Sequence, residues 1–106
     1  MKQLSLPKVF IFEWDEGNRI KNWIKHRVAV KEAEEVFYDP QKVVTDDIKH
    51  STSEKRFILF GKTIRGRKLF VVFTKRGTRK NRVRIISARP MKRKEREIYE
   101  KTISNS

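Results

Sequence analysis

The pattern of apolar and polar residues divides the chain into strand-like and helix-like segments. Five short runs are rich in β-branched and aromatic residues, which favours strands, and they lie at about 9–14, 43–45, 56–62, 68–75 and 82–88. Three other segments have the composition and spacing of helices, and they lie at about 16–26, 30–38 and 90–101. The predicted order of elements is therefore β-α-α-β-β-β-β-α.

The first predicted helix carries an apolar stripe. Ile20, Trp23 and Ile24 recur at helical spacing, so we expect this side of the helix to pack against the rest of the domain. Trp23 is then a core residue rather than a platform on which a nucleic-acid base stacks. Asp15 precedes the helix, where its carboxylate can accept a hydrogen bond from an orphan backbone N–H.

Short connections join the last three strand-like runs. Turns are expected at 65–66 and 76–81, where Gly66 and Gly77 are free to adopt positive φ. Connections this short predict an antiparallel meander, because parallel pairing needs a crossover of a dozen or more residues. Helices before and after the meander indicate the α+β class, with helices packed on an antiparallel sheet. We expect one domain over residues 1–106, with its core at about 9–101.

The composition excludes several kinds of site. The 106 residues include no cysteine, which excludes a disulfide framework, a thiolate zinc site and a cysteine nucleophile. No apolar run approaches the ~20 residues of a membrane span, and the N-terminus lacks the pattern of a signal peptide. The two histidines lie on different predicted elements, unlike zinc ligands. Without a P-loop or a GxGxxG motif, ATP-driven chemistry and dinucleotide binding lack support. We therefore expect no cofactor, and the placement of the histidines leads us to expect no metal.

The positive charge of the chain predicts a polyanionic partner. Lys and Arg number 27 against 13 Asp and Glu, which gives a formal net charge of +14. Nucleic acid, an acidic protein or an anionic membrane could supply the opposite charge. The basic residues lie between strand-like runs rather than along one long amphipathic helix, which argues against binding to a membrane surface.

The last strand-like run carries three arginines. Alternation places Arg82 and Arg84 on one face of the strand and the apolar Val83 and Ile85 on the other, and Arg89 follows where the strand ends. A guanidinium offers a planar, permanently charged fork that fits phosphate. This segment therefore indicates a phosphate-binding site, and a solvated sheet face is the alternative.

A histidine, a carboxylate and an arginine lie within seven residues of each other, in the pattern Asp47-x-x-His50-x-x-x-Glu54-x-Arg56. Histidine is the side chain that titrates near neutral pH without tuning, so this group could supply an acid or base, an orienting group and a phosphate clamp. The alternative is a surface loop in which Glu54 pairs with a nearby Arg or Lys.

Lys25 and His26 end the first predicted helix. Cations at this position complement the helix dipole, so simple stabilisation of the helix end is one interpretation. The other is that both side chains face a phosphate group.

Cleavage of RNA requires only groups of these kinds. The substrate's own 2′-OH is the nucleophile, so the protein has to align it, accept one proton, donate another and stabilise the charge on phosphorus. Arginine and lysine provide the last of these by preorganised electrostatics. A metal-free basic site that holds histidines or carboxylates is therefore sufficient.

A set of short motifs, in order along the chain, resembles the BrnT toxin family over about residues 10–101. The motifs are Phe12-Glu13-Trp14-Asp15, Asn22-x-x-Lys25-His26, Ala33-x-x-Val36-Phe37-x-Asp39-Pro40, Asp47-x-x-His50-x-x-x-Glu54-x-Arg56, Leu69-Phe70-Val71-Val72-x-Thr74-x-Arg76, Arg84-Ile85-Ile86-Ser87-Ala88-Arg89 and Glu95-x-x-x-Tyr99. Each motif is short, and the specificity of the match comes from their order and spacing.

The resemblance implies a bacterial, cytoplasmic type II toxin with a RelE-like fold. Such toxins are endoribonucleases that halt translation. A cognate BrnA antitoxin, which is dimeric and binds DNA, would neutralise the chain in a hetero-oligomer, so that operator DNA is contacted only through the antitoxin. The family pattern usually has glycine after the Lys-His pair, where this chain has Arg27. If that position is a left-handed helix cap, arginine strains it by about 1 kcal/mol.

The resulting hypothesis is a ribonuclease toxin that works without metal. Three arginines would hold the scissile phosphate, Glu54 or His50 would accept the proton of the 2′-OH, and His26 or Lys25 would assist the leaving group or bind the RNA backbone. The residues assigned to catalysis are His26, His50, Glu54, Arg56, Arg84 and Arg89, and those assigned to RNA or phosphate binding are Lys25, Arg76 and Arg82.

Two alternatives remain open at this point. The chain could be a non-catalytic basic module that binds nucleic acid, or an inactive toxin that acts only in operon repression with its antitoxin. The basic surface could also serve chiefly to receive an acidic antitoxin, which predicts that the partner covers the sheet face bearing Arg84.

Overall fold

The computed structural model describes residues 3–50, 53–77 and 81–104, and its elements follow one another in the predicted order. They are β1 Ile11–Trp14, α1 Glu16–His26, α2 Val30–Glu35, β2 Val43–Asp46, β3 Phe57–Lys62, β4 Lys68–Arg76, β5 Arg82–Pro90 and α3 Arg93–Ser104, with 3-10 turns at Val36–Tyr38 and Ile48–His50. The α+β class is confirmed.

One five-stranded sheet has the strand order β1-β5-β4-β3-β2. Strands β3 to β5 form the predicted antiparallel meander, and β2 extends it by pairing in the antiparallel sense with β3. Strand β1 instead pairs in parallel with β5, from Ile11 opposite Arg82 to Trp14 opposite Ile85, so the sheet is mixed rather than antiparallel throughout. The whole chain between β1 and β5 provides the long crossover that parallel pairing requires, and the argument from short connections did not apply to β1.

The two predicted turns around glycine are placed as expected where the structure describes them. Gly66 has φ +90° and Gly77 has φ +85°, which are left-handed values that favour glycine. Residues 78–80 of the second predicted turn lie outside the described residues.

One face of the sheet, the inner face, carries the main core. It packs against α2 and the 3-10 turn that follows, and its buried members include Ala33, Val36, Phe37, Val44, Leu59, Leu69, Val71, Phe73, Val83 and Ile85. The opposite face, the outer face, is covered at one end by α3, where Met91 and Tyr99 pack with Val43 and Phe60.

Helix α3 begins later than the sequence predicted. Pro90 was expected in its first turn, but Pro90 is the last residue of β5, opposite Leu69, and α3 begins at Arg93. The β4–β5 ladder extends this far, and the Met91 N–H donates to the carbonyl of Lys68 at 3.0 Å. The chain therefore enters the helix only after its pairing to β4 is complete.

The predicted packing of α1 is wrong. Ile20, Trp23 and Ile24 are 48 %, 48 % and 65 % exposed, and the buried residue of this helix is Asn22. Strand β1 ends at Trp14, so the second half of β5 has α1 rather than a strand beside it. There the Asn22 Oδ1 accepts a hydrogen bond of 3.2 Å from the backbone N–H of Ala88. The need to pair this buried N–H sets the orientation of the helix and turns the apolar stripe outward.

Arg27 adopts the left-handed conformation that the sequence suggested for its position. Its φ of 52° and ψ of 39° place it in the αL region as the C-cap of α1, with its N–H bonded to the carbonyl of Trp23 at 2.9 Å. Among the described residues other than glycine, Arg27 alone has positive φ.

In the described part of the chain, the helices are too short and too polar for any of them to cross a membrane.

Candidate active site

A β-bulge in β5 decides which side chains share the outer face. Val72 of β4 lies opposite Ser87, but the next residue, Phe73, lies opposite Ile85, so Ile86 is an extra residue. Alternation restarts after a bulge. Arg84 and Arg89 would lie on opposite faces of a regular strand; in β5 both lie on the outer face, away from the buried Val83 and Ile85.

Three arginines, which we call the arginine cluster, lie at the end of the outer face that α3 leaves open. Arg76 of β4 lies opposite Arg82 of β5, and Arg84 lies two residues further along β5, opposite Thr74. The prediction that Arg82 and Arg84 share one face of their strand is confirmed. Neighbouring strands are about 4.8 Å apart, so the three guanidinium groups can act on one anion.

Each arginine of the cluster has a carboxylate partner. Glu54 accepts from Arg76 at 3.1 and 3.3 Å, which is the pairing that the alternative interpretation of this loop predicted. Arg82 lies 3.5 Å from Glu13, and Arg84 lies 3.2 Å from Asp15. The backbone N–H groups of Asn18 and Gly17, and then Arg84, lower the pKa of Asp15. Partly exposed pairs of this kind are weak because solvent screens them, so a phosphate can replace the carboxylates.

Thr74 lies beneath the cluster and is fully buried. Its Oγ1 has no hydrogen-bond partner within the described part of the chain. Buried hydroxyl groups are usually paired. The cluster therefore overlies a polar atom that could still donate a hydrogen bond.

His50 is paired with a residue that the sequence analysis did not assign to the site. Its Nδ1 lies 3.0 Å from Oδ1 and 3.2 Å from Oδ2 of Asp47. Asp47 is buried and His50 is exposed. An imidazole that donates from Nδ1 to a carboxylate presents Nε2 to solvent as a proton acceptor. The Asp-x-x-His spacing was the signal that could have identified Asp47.

Arg56 and Glu54 bring this loop to the open end of the outer face. The Asp47 N–H donates to the carbonyl of Arg56 at 2.9 Å. Arg56 directly precedes β3 and shares the alternation of Ile58, so its side chain belongs to the outer face. Since Glu54 contacts Arg76, the structure places the loop beside the arginine cluster.

Arg89 lies on the same face but apart from the cluster. It follows Arg84 along β5 by about 13 Å. Its guanidinium stacks 4.1 Å above the ring of Phe70 and makes two bonds of 2.8 Å with Glu95 of α3. Burial alone would raise the pKa of Glu95, but hydrogen bonds from Arg89 and the Lys92 N–H outweigh it and leave that pKa lowered. These contacts join β5 to α3, and a role of Arg89 in catalysis stays a prediction.

Lys25 and His26 belong to the Arg89 region rather than to the arginine cluster. Burial, followed by the positive charges of Arg89 and Lys25, lowers the pKa of His26. The backbone carbonyl of His26 accepts a bond of 2.8 Å from Arg67. The structure thus divides the predicted site residues into two groups at opposite ends of β5.

The spacing Glu95-x-x-x-Tyr99 has a structural explanation. Glu95 holds Arg89, and the buried hydroxyl of Tyr99 donates to Asp39. Burial, and then Asp39, raise the pKa of Tyr99, so the phenol stays protonated.

The arrangement at the open end can support acid–base and phosphate chemistry. It combines three guanidinium groups, a carboxylate and a carboxylate-oriented imidazole. In the described ranges, no three His, Asp or Glu side chains are grouped so that they could hold a metal ion.

Comparisons with known proteins found a matching family model and a solved structure of similar fold. A family model described as the ribonuclease toxin BrnT of type II toxin–antitoxin systems matches residues 14–95. The 1.1 Å crystal structure of the Brucella abortus ribonuclease toxin BrnT superposes with a TM-score of 0.56 at 21 % identity, covering 80 % of this chain and 96 % of that one. At this identity the superposition shows a shared fold. No curated protein matches the chain.

Proposed function

This chain belongs to the BrnT family of ribonuclease toxins, and from that premise we propose that it cleaves RNA without a metal ion at the open end of its outer sheet face. The family establishes the broad activity, an endoribonuclease of a type II toxin–antitoxin system with an antitoxin partner. The location of the site, the roles of its residues and the metal-free mechanism are the proposal.

The observation that carries the proposal is the arginine cluster. Arg76, Arg82 and Arg84 lie on adjacent strands on one open surface, each held by a weak carboxylate contact. Preorganised cations stabilise the charge that builds up on phosphorus in the transition state. A phosphate bound here would displace Asp15 and Glu13 from Arg84 and Arg82, and Glu54 would be released next to the substrate.

His50 is the best candidate for the proton acceptor. Asp47 fixes its ring through Nδ1, so Nε2 can take the proton of the 2′-OH as the 2′-oxygen attacks phosphorus. Glu54, beside Arg76, is the second candidate. The attack breaks the bond from phosphorus to the 5′-oxygen, which takes up a proton, and leaves one fragment with a 2′,3′-cyclic phosphate and the other with a 5′-hydroxyl. Arg56 would add positive charge at the same end of the face.

The second group of residues would bind RNA next to the scissile bond. Lys25 lies exposed at the end of α1 and can contact a phosphate. The lowered pKa of His26 keeps its imidazole neutral near pH 7, so His26 is better suited to accept a proton or a hydrogen bond than to protonate a leaving group. Arg89 would act mainly by holding β5 against α3.

The cellular role follows from the family. We propose that RNA cleavage inhibits translation in the cytoplasm and that a dimeric, DNA-binding BrnA-type antitoxin neutralises the chain in a hetero-oligomer. In that complex only the antitoxin contacts operator DNA. The antitoxin and RNA are the partners that the family implies.

A second candidate function is binding of nucleic acid without cleavage, as a basic module or as an inactive toxin that acts in repression. The observation that favours it is that every arginine of the cluster is matched by a carboxylate. Both functions would lose affinity with salt in a similar way. Only the presence of RNA cleavage products distinguishes the two functions.

The test is incubation of the purified chain with a short RNA in the presence of EDTA, followed by analysis of the fragment ends. We expect fragments that end in 2′,3′-cyclic phosphate. Intact RNA that is nonetheless retarded on a gel would favour binding without cleavage, and activity that requires an added divalent ion would contradict the metal-free mechanism.

Arg84 provides the sharpest test of the site. We expect Arg84→Ala to reduce cleavage about 100-fold or more, as removal of a transition-state donor does, and Arg84→Lys to lie between that variant and the parent because it keeps charge but not the fork. Asp15 keeps its bonds to the Gly17 and Asn18 N–H groups, so the fold should hold. Arg93→Ala, an exposed arginine on α3, is the matched control. Parental cleavage by Arg84→Ala would remove the arginine cluster from the mechanism.

A further inference from the structure

Helix α1 exposes an apolar surface that its sequence pattern assigns to a core. We call Ile20, Trp23 and Ile24 of α1, together with Ile64 of the β3–β4 turn, the α1 patch. Ile64 is 83 % exposed, and the three α1 residues are about half exposed or more. A contiguous exposed group of this kind marks an interaction surface.

The α1 patch is shaped as well as apolar. Trp23 and Ile64 of the patch line one groove of about 490 Å³, together with Ala29 at the start of α2 and Thr63. A groove beside an exposed tryptophan is suited to receive a side chain from an inserted helix or strand.

The surroundings of the patch are basic. The basic residues beside the patch on α1 and along the groove are Lys21, Arg27, Lys31 and Arg65. The nearby carboxylates are engaged within the chain: Glu16 pairs with Arg19, Glu32 with Arg67 at 3.0 Å, and Glu35 accepts from the Ile64 N–H at 3.1 Å. The patch therefore favours a partner that is apolar at its centre and acidic around it.

We propose that the α1 patch is the docking site for an acidic, amphipathic segment of the antitoxin. This inference rests on the antitoxin partner in the proposed function. Charge complementarity selects the occupant, since a basic rim repels a second copy of this basic chain. Single-stranded RNA is disfavoured because three of the four patch residues are isoleucines, which neither stack on bases as an aromatic ring does nor hydrogen-bond to them.

The α1 patch is separate from the arginine cluster. Asn22 turns one side of α1 toward β5 at Ala88, and the patch faces away from that contact. Among the described residues, the cluster contacts the N-cap of α1 through the pair of Arg84 and Asp15. Antitoxin binding and RNA cleavage can therefore be changed independently, whereas a partner that covers the outer face would depend on Arg84.

The test is a calorimetric titration of the purified full chain with the purified antitoxin encoded in the same operon, without RNA. We expect Ile24→Glu and Trp23→Ala each to weaken binding by about 30-fold or more, as loss of an interface anchor does, with RNA cleavage unchanged. Val9→Glu, which charges another exposed residue outside the patch, is the matched control and should bind at parental affinity.

The charge part of the proposal has its own pair of variants. Lys31→Glu, at the rim of the groove, should slow association and weaken binding by about 10-fold at low salt, with a smaller effect at high salt. Lys94→Glu, an equivalent charge reversal on α3, should leave binding unchanged. Since all these positions are exposed, unchanged thermal midpoints would show that the variants remain folded.

Several outcomes would overturn the proposal. The first is binding of the antitoxin at parental affinity by both Ile24→Glu and Trp23→Ala. The second is weaker antitoxin binding by Arg84→Ala when Ile24→Glu and Trp23→Ala bind normally, because the partner would then cover the outer face. Loss of RNA binding in Ile24→Glu would assign the patch to RNA, and a dimer that Ile24→Glu dissociates would assign it to a second copy. Absence of binding by the parent chain would also overturn it. None of these readouts requires cleavage, so failure of the ribonuclease proposal is recognised separately.

Discussion

Among single residues, the carboxylate of Asp47 determines what His50 can do. A buried acceptor 3.0 Å from Nδ1 holds the ring in one orientation and selects the tautomer with Nε2 free to accept a proton. An exposed histidine without such a partner would rotate and divide its population between tautomers. The pair therefore makes His50 a stronger candidate for the general base than its place in a surface loop suggested.

Replacing Asp47 by Asn tests this role. We expect Asp47→Asn to lower kcat by about 10-fold or more, a part of the ~100-fold that a general base contributes, with little change in KM because substrate contacts remain. Asp46→Asn, which removes the neighbouring carboxylate that faces Lys55, is the control and should retain kcat. A kcat for Asp47→Asn equal to that of the parent would argue that His50 is not the base.

Arg27 allows the backbone strain at the end of α1 to be measured. At φ 52° a side chain with Cβ is strained, whereas glycine is not. Both Arg27→Gly and Arg27→Ala remove the guanidinium that lies 5.3 Å from the Trp23 ring, so they differ only in Cβ. We expect the glycine variant to be more stable than the alanine variant by about 1 kcal/mol, measured by urea unfolding. Equal stabilities would show that the turn relaxes without strain.

At the scale of elements, α1 and the bulge in β5 set the geometry of both surfaces. The extra residue Ile86 returns Arg89 to the outer face, where it meets Phe70 and α3. Helix α1 occupies the sheet edge that the short β1 leaves open, and it is attached there through a polar side chain. The same attachment exposes Ile20, Trp23 and Ile24.

Asn22 is therefore expected to be important for stability although it is polar and lies on a surface helix. Asn22→Ala leaves the buried N–H of Ala88 without its acceptor, which costs about 1–3 kcal/mol. Asn18→Ala, one turn earlier on α1, is the control because it makes the same change in helix propensity. Its unfolding free energy should stay within about 0.5 kcal/mol of the parent value. Denaturant unfolding of both variants measures the difference, and equal effects would show that the Asn22 bond contributes nothing beyond helix propensity.

At the scale of the whole molecule, the surroundings of His26 contribute to how stability depends on pH. His26 lies where burial and several cations, led by Arg89, oppose its protonation and lower its pKa below the ordinary 6.5. The unfolded chain, in which the imidazole is solvated, then binds the proton more readily than the folded one. Linkage requires stability to fall when pH drops below about 6.5 and to be unaffected by this group well above it.

We expect His26→Gln to reduce this dependence. Above about pH 7 the difference in unfolding free energy between the parent and His26→Gln should be constant. As the pH is lowered toward 5, the parent should lose more stability than the variant. Thermal or urea unfolding at several pH values measures it. A difference that does not change with pH would mean that His26 titrates alike in the folded and unfolded chain.

Much of the fold could be predicted, because it depends on local patterns. The order of elements, the bounds of α1 and the meander follow from periodicity, capping residues and glycines. The parallel pairing of β1 with β5 could not be predicted in this way, since it joins residues about seventy positions apart. The apolar side of a helix usually packs against the core, but the apolar stripe of α1 faces outward. The helical period shows that one side of the helix is apolar, but it does not show what that side faces.

For the candidate site, the sequence by itself determined the chemical groups: an excess of arginine, two histidines, carboxylates nearby and no cysteine. The resemblance of its motifs to BrnT toxins also identified the family, which the family match confirmed. Only the tertiary structure decided which of these groups meet. It paired Asp47 with His50, Glu54 with Arg76 and Arg89 with Glu95, and it separated His26 and Lys25 from the arginine cluster. The physical reason is that local backbone preferences fix each element, whereas strand register, a single bulge and one buried hydrogen bond fix how distant side chains face one another.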